Sequence, residues 1–470
     1  MNKYKKLTLD TILFGISTFA SKLLIFFLLP LYTAVLSTEE YGIADLLTNV
    51  VNLIYPIFTL AIAEACLRFA FSKEINKNEI LSSCMLLVVI SFVFLLCLYP
   101  ISSIFGTTLN NFWIIFSFLY LGYSLQNCFS FYCRGIEKKK VFAIQGIIQT
   151  VVMIALNLLF LLVFKLGLLG FLLSYIISYF AAVTYMIMYA GIIKDLVKFK
   201  INKKLLCDML KYSIPIVPTM VSWWINNSAD KYFIIGFVGI GASGIYSVAH
   251  KIPSLITTVS SIFNNAWSIS AISEYDSENN SRFYTNIFNF YFIIIILFGG
   301  FVAIVAPIIC KFLFASNYYS GWVYVPPLVC AAVFQAMAGF IASIFRAIKK
   351  TNVLFISTTI GAVINIILNY FFIKFFGVIG VAYTTMISFL IVFIIRMKYC
   401  NKYIKINTNY IKMYISILLL IMLSMIMCNE FPYKKYICNL IYIFMIIINL
   451  NYISRYSKTL LLKLKKVNKK

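Results

Sequence analysis

Apolar runs of about 20 residues follow one another along nearly the whole chain, and that repetition leaves few folds open. Each run is long enough to cross a hydrocarbon core of about 30 Å as a helix. Within a bilayer every backbone N–H and C=O must be bonded inside the protein, so only helices and closed barrels can span it. A barrel would show short segments of alternating polarity, and these runs do not alternate. The sequence therefore predicts an all-α polytopic membrane protein. Spans fall near 11–36, 41–70, 80–104, 112–133, 141–164, 168–192, 210–238, 241–273, 284–314, 322–346, 352–376, 378–400, 411–429 and 436–455, about 14 transmembrane helices. The first is too long for a signal-peptide core and lacks a convincing small-residue cleavage site, so it counts as a span.

Composition enters through charge. The chain of 470 residues is 62% hydrophobic and 12% charged, with a formal net charge of +25. Such an excess invites a nucleic-acid reading, which the placement of the charges excludes. With the N-terminus in the cytoplasm, 31 of the 40 Lys and Arg fall in the inner tails and loops, 5 outside and 4 within spans. This positive-inside asymmetry predicts that both termini are cytoplasmic. It makes anionic lipid headgroups the partners of the basic loops. One inner loop departs from the pattern: residues 274–283 carry Glu274, Asp276 and Glu278 against Arg282. The 11 cysteines are scattered, with no CxxC pair and no histidine partner, so neither a disulfide framework nor a metal site is expected. Most read as small buried apolar residues. No cofactor motif is present.

The two halves align. Arg134-Gly-Ile-Glu-Lys-Lys-Lys-Val141 matches Arg346-Ala-Ile-Lys-Lys-Thr-Asn-Val353 at an offset of 212, which Asn157 and Asn369 keep. A Gly-x-x-Gly follows in each half, at Gly167/Gly170 and Gly377/Gly380. Tyr41-Gly-Ile-Ala44 resembles Ser243-Gly-Ile-Tyr246 at an offset of about 202. Spans one to six thus correspond to spans seven to twelve, and six spans return the chain to its starting side. The repeats are parallel, an arrangement in which substrate sites lie at the repeat interface. The division that follows is an N-terminal lobe over 1–209, a C-terminal lobe over 210–405, and spans thirteen and fourteen with a basic tail over 406–470.

The deeply placed charges fall in only four spans: Lys22 in the first; Asp45, Glu64 and Arg68 in the second; Asp230 and Lys231 in the seventh; His250 and Lys251 in the eighth. A charge in a bilayer is costly and normally faces a bundle interior or a wet cavity. Helical spacing turns these residues into polar faces. Thr11, Thr18, Lys22 and Thr33 form one; Asp45, Asn49, Asn52, Pro56 and Thr59 a second. Thr219, Trp223, Asn226, Asn227 and Asp230 form a third; Ser247, Lys251, Ser254, Thr258 and Asn265 a fourth. Together they outline a central polar cavity with cations near mid-depth. Lys22, Lys251, Asn49, Asn52, Asn226, Asn227 and Trp223 are the substrate-binding candidates. Asp230, Asp45 and Glu64 are the ion-coupling candidates. Each has a plainer reading. Lys22 and Lys251 suit structural ion pairs as well as a cavity. Asp45 lies near the outer end, so an interfacial role competes. Glu64 and Arg68, spaced i,i+4 in the favourable order, suit a structural pair. His250, the single histidine, suits a hydrogen-bonded core position better than a pH sensor. Pro30, Pro56, Pro215, Pro218 and Pro253 lie in the same spans. Proline kinks helices, which suits a protein that opens to each side in turn.

No catalytic constellation accompanies these faces. The chain lacks a Walker motif, a Ser-His-Asp set and an acidic pair on a loop, and its loops are short, so it is not expected to be an enzyme. The run Ser21-Lys-Leu-Leu-Ile-Phe-Phe-Leu-Leu-Pro-Leu-Tyr-Thr33, then Leu36-Ser-Thr-Glu-Glu-Tyr-Gly-Ile-Ala-Asp45 and Glu64-Ala-Cys-Leu-Arg-Phe69, resembles the opening of Wzx-type oligosaccharide flippases. These belong to the multidrug/oligosaccharidyl-lipid/polysaccharide exporter superfamily. The likeness extends through the Arg-Gly-Ile-x-Lys loop and the fourteen-span plan. It implies two six-helix lobes around a central cavity, and spans thirteen and fourteen stand as an appendage. It also implies a bacterial inner-membrane site and an undecaprenyl-diphosphate-linked glycan as substrate, moved by alternating access for O-antigen or capsule polysaccharide biosynthesis alongside polysaccharide assembly proteins. A cationic cavity agrees, since a diphosphate crossing hydrocarbon needs cations and donors on its way. Relatives commonly place arginines there, whereas this chain has Lys22 and Lys251, which lack the bidentate fork. With no nucleotide motif, a proton or sodium ion gradient, the lipid gradient or both must drive the step. The competing readings are a cation-coupled multidrug exporter, a membrane-embedded acyltransferase and a structural scaffold. The first would favour acids over the bases present, the second lacks its catalytic His/Asp motif, and the buried charges speak against the third.

Overall fold

The computed structural model describes residues 24, 26–71, 75–100, 107–197, 199–273, 280–348, 350–430 and 432–467. Their regular structure is helical throughout. Ten helices among them are long and apolar enough to cross a membrane, so the chain is an all-α polytopic membrane protein. Most of the expected first span lies outside the described residues. The chain forms two compact units, one reaching Lys231 and taking in Ile240–Gly244, the other made of Tyr232–Gly239 and the chain from Ile245 onward.

The first unit contains α1 (Leu29–Val35), α2 (Thr38–Phe58), α3 (Ile62–Ala70), α4 (Lys77–Cys97), the short α5 (Thr107–Asn111), α6 (Trp113–Gly135), α7 (Lys139–Asn157), α8 (Gly167–Ala190), α9 (Ile192–Val197) and α10 (Lys203–Ser213). It also holds most of α11 (Val217–Phe237). A capping box starts α2: Ser37 Oγ accepts from the Glu40 N–H, and the Glu40 carboxylate accepts from the Ser37 N–H at 2.9 Å. α7 runs on into a π-helical turn over Leu158–Val163. The core joins Ile62, Cys66, Ile80, Cys84, Phe129, Tyr132, Cys133 and Met186, all essentially inaccessible. Eight of the eleven cysteines are buried, as small apolar side chains should be.

The second unit holds the rest of α12 (Ile240–Ser273), then α13 (Asn280–Leu313), a 3₁₀ segment (Ser316–Tyr324), α14 (Val325–Ala347), α15 (Asn352–Phe376), α16 (Val378–Tyr403), α17 (Tyr410–Cys428) and α18 (Lys434–Val467). α14 is buried on nearly every face, from Val325 to Phe345, as a helix apolar all round should be. Trp267 stacks on Phe340 at 4.5 Å between ring centroids and donates its indole N–H to the Phe340 carbonyl at 3.1 Å.

α6–α7–α8 and α14–α15–α16 carry the aligned motifs in the same order, and Asn157 and Asn369 are both fully buried. The two Gly-x-x-Gly motifs do the same work. Gly167 and Gly377 turn the chain at φ 53° and 66°, where glycine avoids the Cβ penalty. Gly170 and Gly380 then let the hairpin close: a Cβ on Gly380 would lie 2.4 Å from the Phe372 carbonyl oxygen. Gly42 and Gly244 meet each other directly, since a Cβ on Gly244 would sit 2.0 Å from the Thr38 oxygen and 3.1 Å from the Gly42 nitrogen. Gly380→Ala is expected to destabilise the protein by about 1–3 kcal/mol, because backbone cannot yield as a side chain would. Gly146→Ala, whose methyl group meets nothing within 4 Å, should be neutral. Equal unfolding midpoints for the two variants in detergent would contradict this account.

Candidate functional site

The polar face of α2 divides into two parts with different tasks. Its N-terminal part is bound to α11. Lys231 Nζ donates to the Asp45 carboxylate at 2.7 Å, and both side chains are nearly buried, 13% and 11% exposed. One turn on, Asn49 Nδ2 donates to the same carboxylate at 2.9 Å, and Ser228 Oγ donates to Asn49 Oδ1 at 3.0 Å. Trp224 Nε1 donates to the Asn49 backbone carbonyl at 3.0 Å. Asp45 and Asn49 on one helix thus meet Trp224, Ser228 and Lys231 on the other, each set spaced three or four residues apart and so on one face.

The C-terminal part of the α2 face opens onto a cavity. The second expected span is not one helix: α2 ends at Phe58 and α3 begins at Ile62. Pro56 has no N–H for the Asn52 carbonyl. Leu60 and Ala61 then adopt left-handed φ values of 53° and 52°. Two consecutive non-glycine residues in that region cost of order 1–3 kcal/mol each. The Ala61 N–H bonds to the Pro56 carbonyl at 2.9 Å and Thr59 Oγ1 to the Tyr55 carbonyl at 2.6 Å, which hold the break. Irregular backbone at membrane depth is tolerated where it is buried in protein or lines a cavity. Here it lines one of about 130 Å³, walled by Asn52, Tyr55, Ala61, Ala63, Glu64, Tyr123, Asn127, Phe131 and Met220. Glu64 is the carboxylate in that wall.

Several expectations change. Glu64 and Arg68 do not form an ion pair within 4 Å among the described residues. The opposite charge acting on Glu64 is Arg134, from α6, while Arg68 is exposed. Both residues lie within α3, so their i,i+4 spacing is intact, but Glu64 lines the cavity while the Arg68 side chain is exposed. Trp223 is 54% exposed; its neighbour Trp224 makes the contact to α2. Of the prolines, Pro30 opens α1 and Pro215 lies in the 3₁₀ segment Ile214–Ile216. Pro253 is carried inside an α12 of 34 residues.

The other candidates are placed as follows. Lys22 lies outside the described residues. Asn226 and Asp230 are buried on α11, each 3% exposed. Asn226 Nδ2 bonds to the Ser222 carbonyl and Asn227 Nδ2 to the Trp223 carbonyl, both one turn back. His250 lies 6.5 Å from Tyr246, ring to ring. Lys251 is half-buried on α12, and its ammonium has no hydrogen-bond or ion-pair partner among the described residues. Ser254 and Thr258, one and two turns on, bond back onto carbonyls of their own helix. The sequence singles out Lys231 as a deeply placed charge but not as a site residue, and it misses Trp224, Ser228, Tyr123, Asn127 and Arg134 as site residues. Trp224 and Ser228 sit beside candidates already chosen on α11, whereas Tyr123, Asn127 and Arg134 all come from α6.

The polysaccharide biosynthesis protein family matches residues 7–268, more than half of the chain. A membrane protein of Methanocaldococcus jannaschii, MJ1375, is 25% identical over 409 residues, which is 82% of this chain and 96% of that protein. The lipid II flippase MurJ, in its inward closed conformation, superposes with a TM-score of 0.68 at 21% identity, covering 96% of this chain and 100% of its own. An inward-facing multidrug resistance transporter of the MATE family, in the MOP superfamily, gives 0.65 at 15% identity, over 80% of this chain and 94% of its own. A MOP superfamily transporter from Pyrococcus furiosus, with a binding pocket of reverse polarity, gives 0.61 at 15% identity, over 84% and 95%. The chain has the fold of the multidrug/oligosaccharidyl-lipid/polysaccharide exporter superfamily and belongs to the polysaccharide biosynthesis protein family.

Proposed function

We propose that this protein is a flippase of the Wzx type. It moves an undecaprenyl-diphosphate-linked oligosaccharide repeat unit across the bacterial inner membrane by alternating access, for O-antigen or capsule assembly, with both termini in the cytoplasm. The observation that carries the reading is Lys251: a half-buried ammonium, well inside the 34-residue helix α12, with no partner among the described residues. A cation kept there without a counter-ion is costly, and the doubly anionic diphosphate of a lipid-linked glycan is the counter-charge it suits. Membership of a polysaccharide biosynthesis family supports the substrate class, and MurJ flips a lipid-linked substrate on the same fold.

Glu64 is the ion-coupling residue of this scheme. Asp45 is tied to Lys231, whereas Glu64 lines a cavity of about 130 Å³ beside amide, phenol and backbone groups. Broken helices supply such coupling sites in transporters. The test is translocation of a polyprenyl-diphosphate glycan in proteoliposomes under imposed proton or sodium gradients. Wild-type protein is expected to respond to one of them. Glu64→Gln is expected to bind substrate normally and lose that response. Translocation with an unchanged gradient response in Glu64→Gln would move coupling to Asp230 or remove it. The runner-up is a cation-coupled multidrug exporter, favoured by the aromatic lining of the Glu64 cavity. Gradient-driven uptake of cationic dyes with no movement of the glycan lipid would establish it instead.

A further inference from the structure

Arg396 is buried in the second unit with no carboxylate to meet it. It is 8% exposed, and three of its five N–H groups are used on neutral oxygens. Nε donates to Ser357 Oγ at 2.9 Å, Nη1 to the Ala338 carbonyl at 2.9 Å and Nη2 to Thr358 Oγ1 at 2.8 Å. The guanidinium therefore pins α16 to α14 and α15. The charge acting on it is a second cation, Arg346, at the end of α14. Arg346 is exposed and makes one bond, from Nη2 to Ser343 Oγ at 2.9 Å.

Among the described residues of the second unit, no carboxylate lies beside them. Residues 279–429 contain no Asp or Glu. Glu430 follows the far end of α17, about 28 Å away along that helix. Glu274, Asp276 and Glu278 lie outside the described residues. The first half of the repeat is built differently. There Arg134 has the carboxylate of Glu64 within charge reach and lies 5.2 Å from the Phe131 ring. At the offset of 210 set by the Gly-x-x-Gly motifs, the counterpart of Arg396 is Met186, fully buried. One repeat buries a thioether where the other buries a cation, and among the described residues of the second unit no carboxylate lies beside that cation, which suits it to an anion from outside the chain.

The rim says where that anion comes from. Lys350 lies 5.9 Å from the ring of Tyr403 and Lys402 lies 5.0 Å from that of Tyr399. The two tyrosines are 50% and 42% exposed. Half-exposed tyrosines with lysines over them mark the headgroup level of a bilayer, and basic pockets between helix ends are where anionic headgroups lodge. We propose that Arg346, with Arg396 beneath it, holds the phosphodiester of an anionic phospholipid at the basic end of α14–α16. Arg346 supplies the accessible donors and Arg396 the buried field. The site is independent of the flippase reading, since it uses none of the polar-face residues.

The test is lipid retention in nanodiscs of phosphatidylcholine containing a minority of phosphatidylglycerol, which carry no gradient and no glycan substrate. Wild-type protein is expected to retain phosphatidylglycerol through delipidation. Arg346→Gln should retain roughly fivefold less, the worth of one basic side chain near an anionic surface, and Arg346→Lys should keep most. Lys405→Gln, an exposed cation at the same end, is the control. Because Arg396 also braces three helices, Arg346 is the deciding variant. Retention by Arg346→Gln equal to that of Lys405→Gln would reduce Arg396 to a brace and overturn the site. Inorganic phosphate added to phosphatidylcholine-only discs should leave the unfolding midpoint unchanged. A rise that vanishes in Arg346→Gln would assign the site to a soluble anion and overturn the lipid.

Discussion

Asp45→Asn is expected to cost about 3 kcal/mol of stability, because it leaves the Lys231 ammonium nearly buried and unpaired. The 2.7 Å contact is its ion pair in the first unit, with both side chains almost out of reach of solvent. Asn49 loses a hydrogen-bond partner as well, since its amide donates to the same carboxylate. Asp45→Asn/Lys231→Met should recover most of the loss, because the pair is then replaced by groups that need no counter-charge. A double-mutant cycle measured by unfolding in detergent reads the coupling, expected at about 1–3 kcal/mol. Additive single-variant effects would mean that the pair contributes nothing. The same variants separate bracing from transport. If the double variant is stable and still moves substrate, Asp45 is a structural partner of α11. If it is stable and inactive, Asp45 rejoins Glu64 as a coupling residue.

The membrane fold was legible because hydrocarbon imposes one periodicity and one length on every span, so apolar runs translate directly into helices. The turns at Gly167 and Gly377 and the close approaches at Gly170 and Gly380 were legible, because such positions admit few side chains. What stayed hidden depends on pairing across long stretches of chain. Nothing in the spacing joins Asp45 to Lys231, 186 residues apart. Adjacent residues on a helix point about 100° apart, so choosing Trp223 over Trp224 misplaced the contact to α2. The break at Leu60–Ala61 carries no glycine to announce it. Its one sign was Pro56, which reads equally as a simple kink. Arg396 stands near the end of the apolar run 378–400, where a cation draws no notice. Its burial is visible only once α14 and α15 are seen to enclose it.

Lys251→Ala should reduce glycan export by about 10–100-fold while leaving the protein in the membrane at its normal level. The range follows from a charge-assisted bond worth about 1.5–3 kcal/mol. The structural cost is expected to be small, because the ammonium makes no bond to the described residues that the truncation would break. Removing an uncompensated cation from a helix should if anything favour the fold. Lys251→Arg should restore part of the activity, since it keeps the charge but presents a planar fork on a different reach. Lys251→Met keeps the stem and loses the charge, so it should behave like alanine. Surface glycan in a complemented flippase-deficient strain gives the readout, with membrane protein level measured beside it. The same series at Lys22 tests the partner cation expected from the sequence. If both alanine variants export normally, these lysines do not touch the diphosphate, and the anion path must run elsewhere. Lost export accompanied by lost protein would make Lys251 a folding residue and take away the observation on which the flippase reading stands.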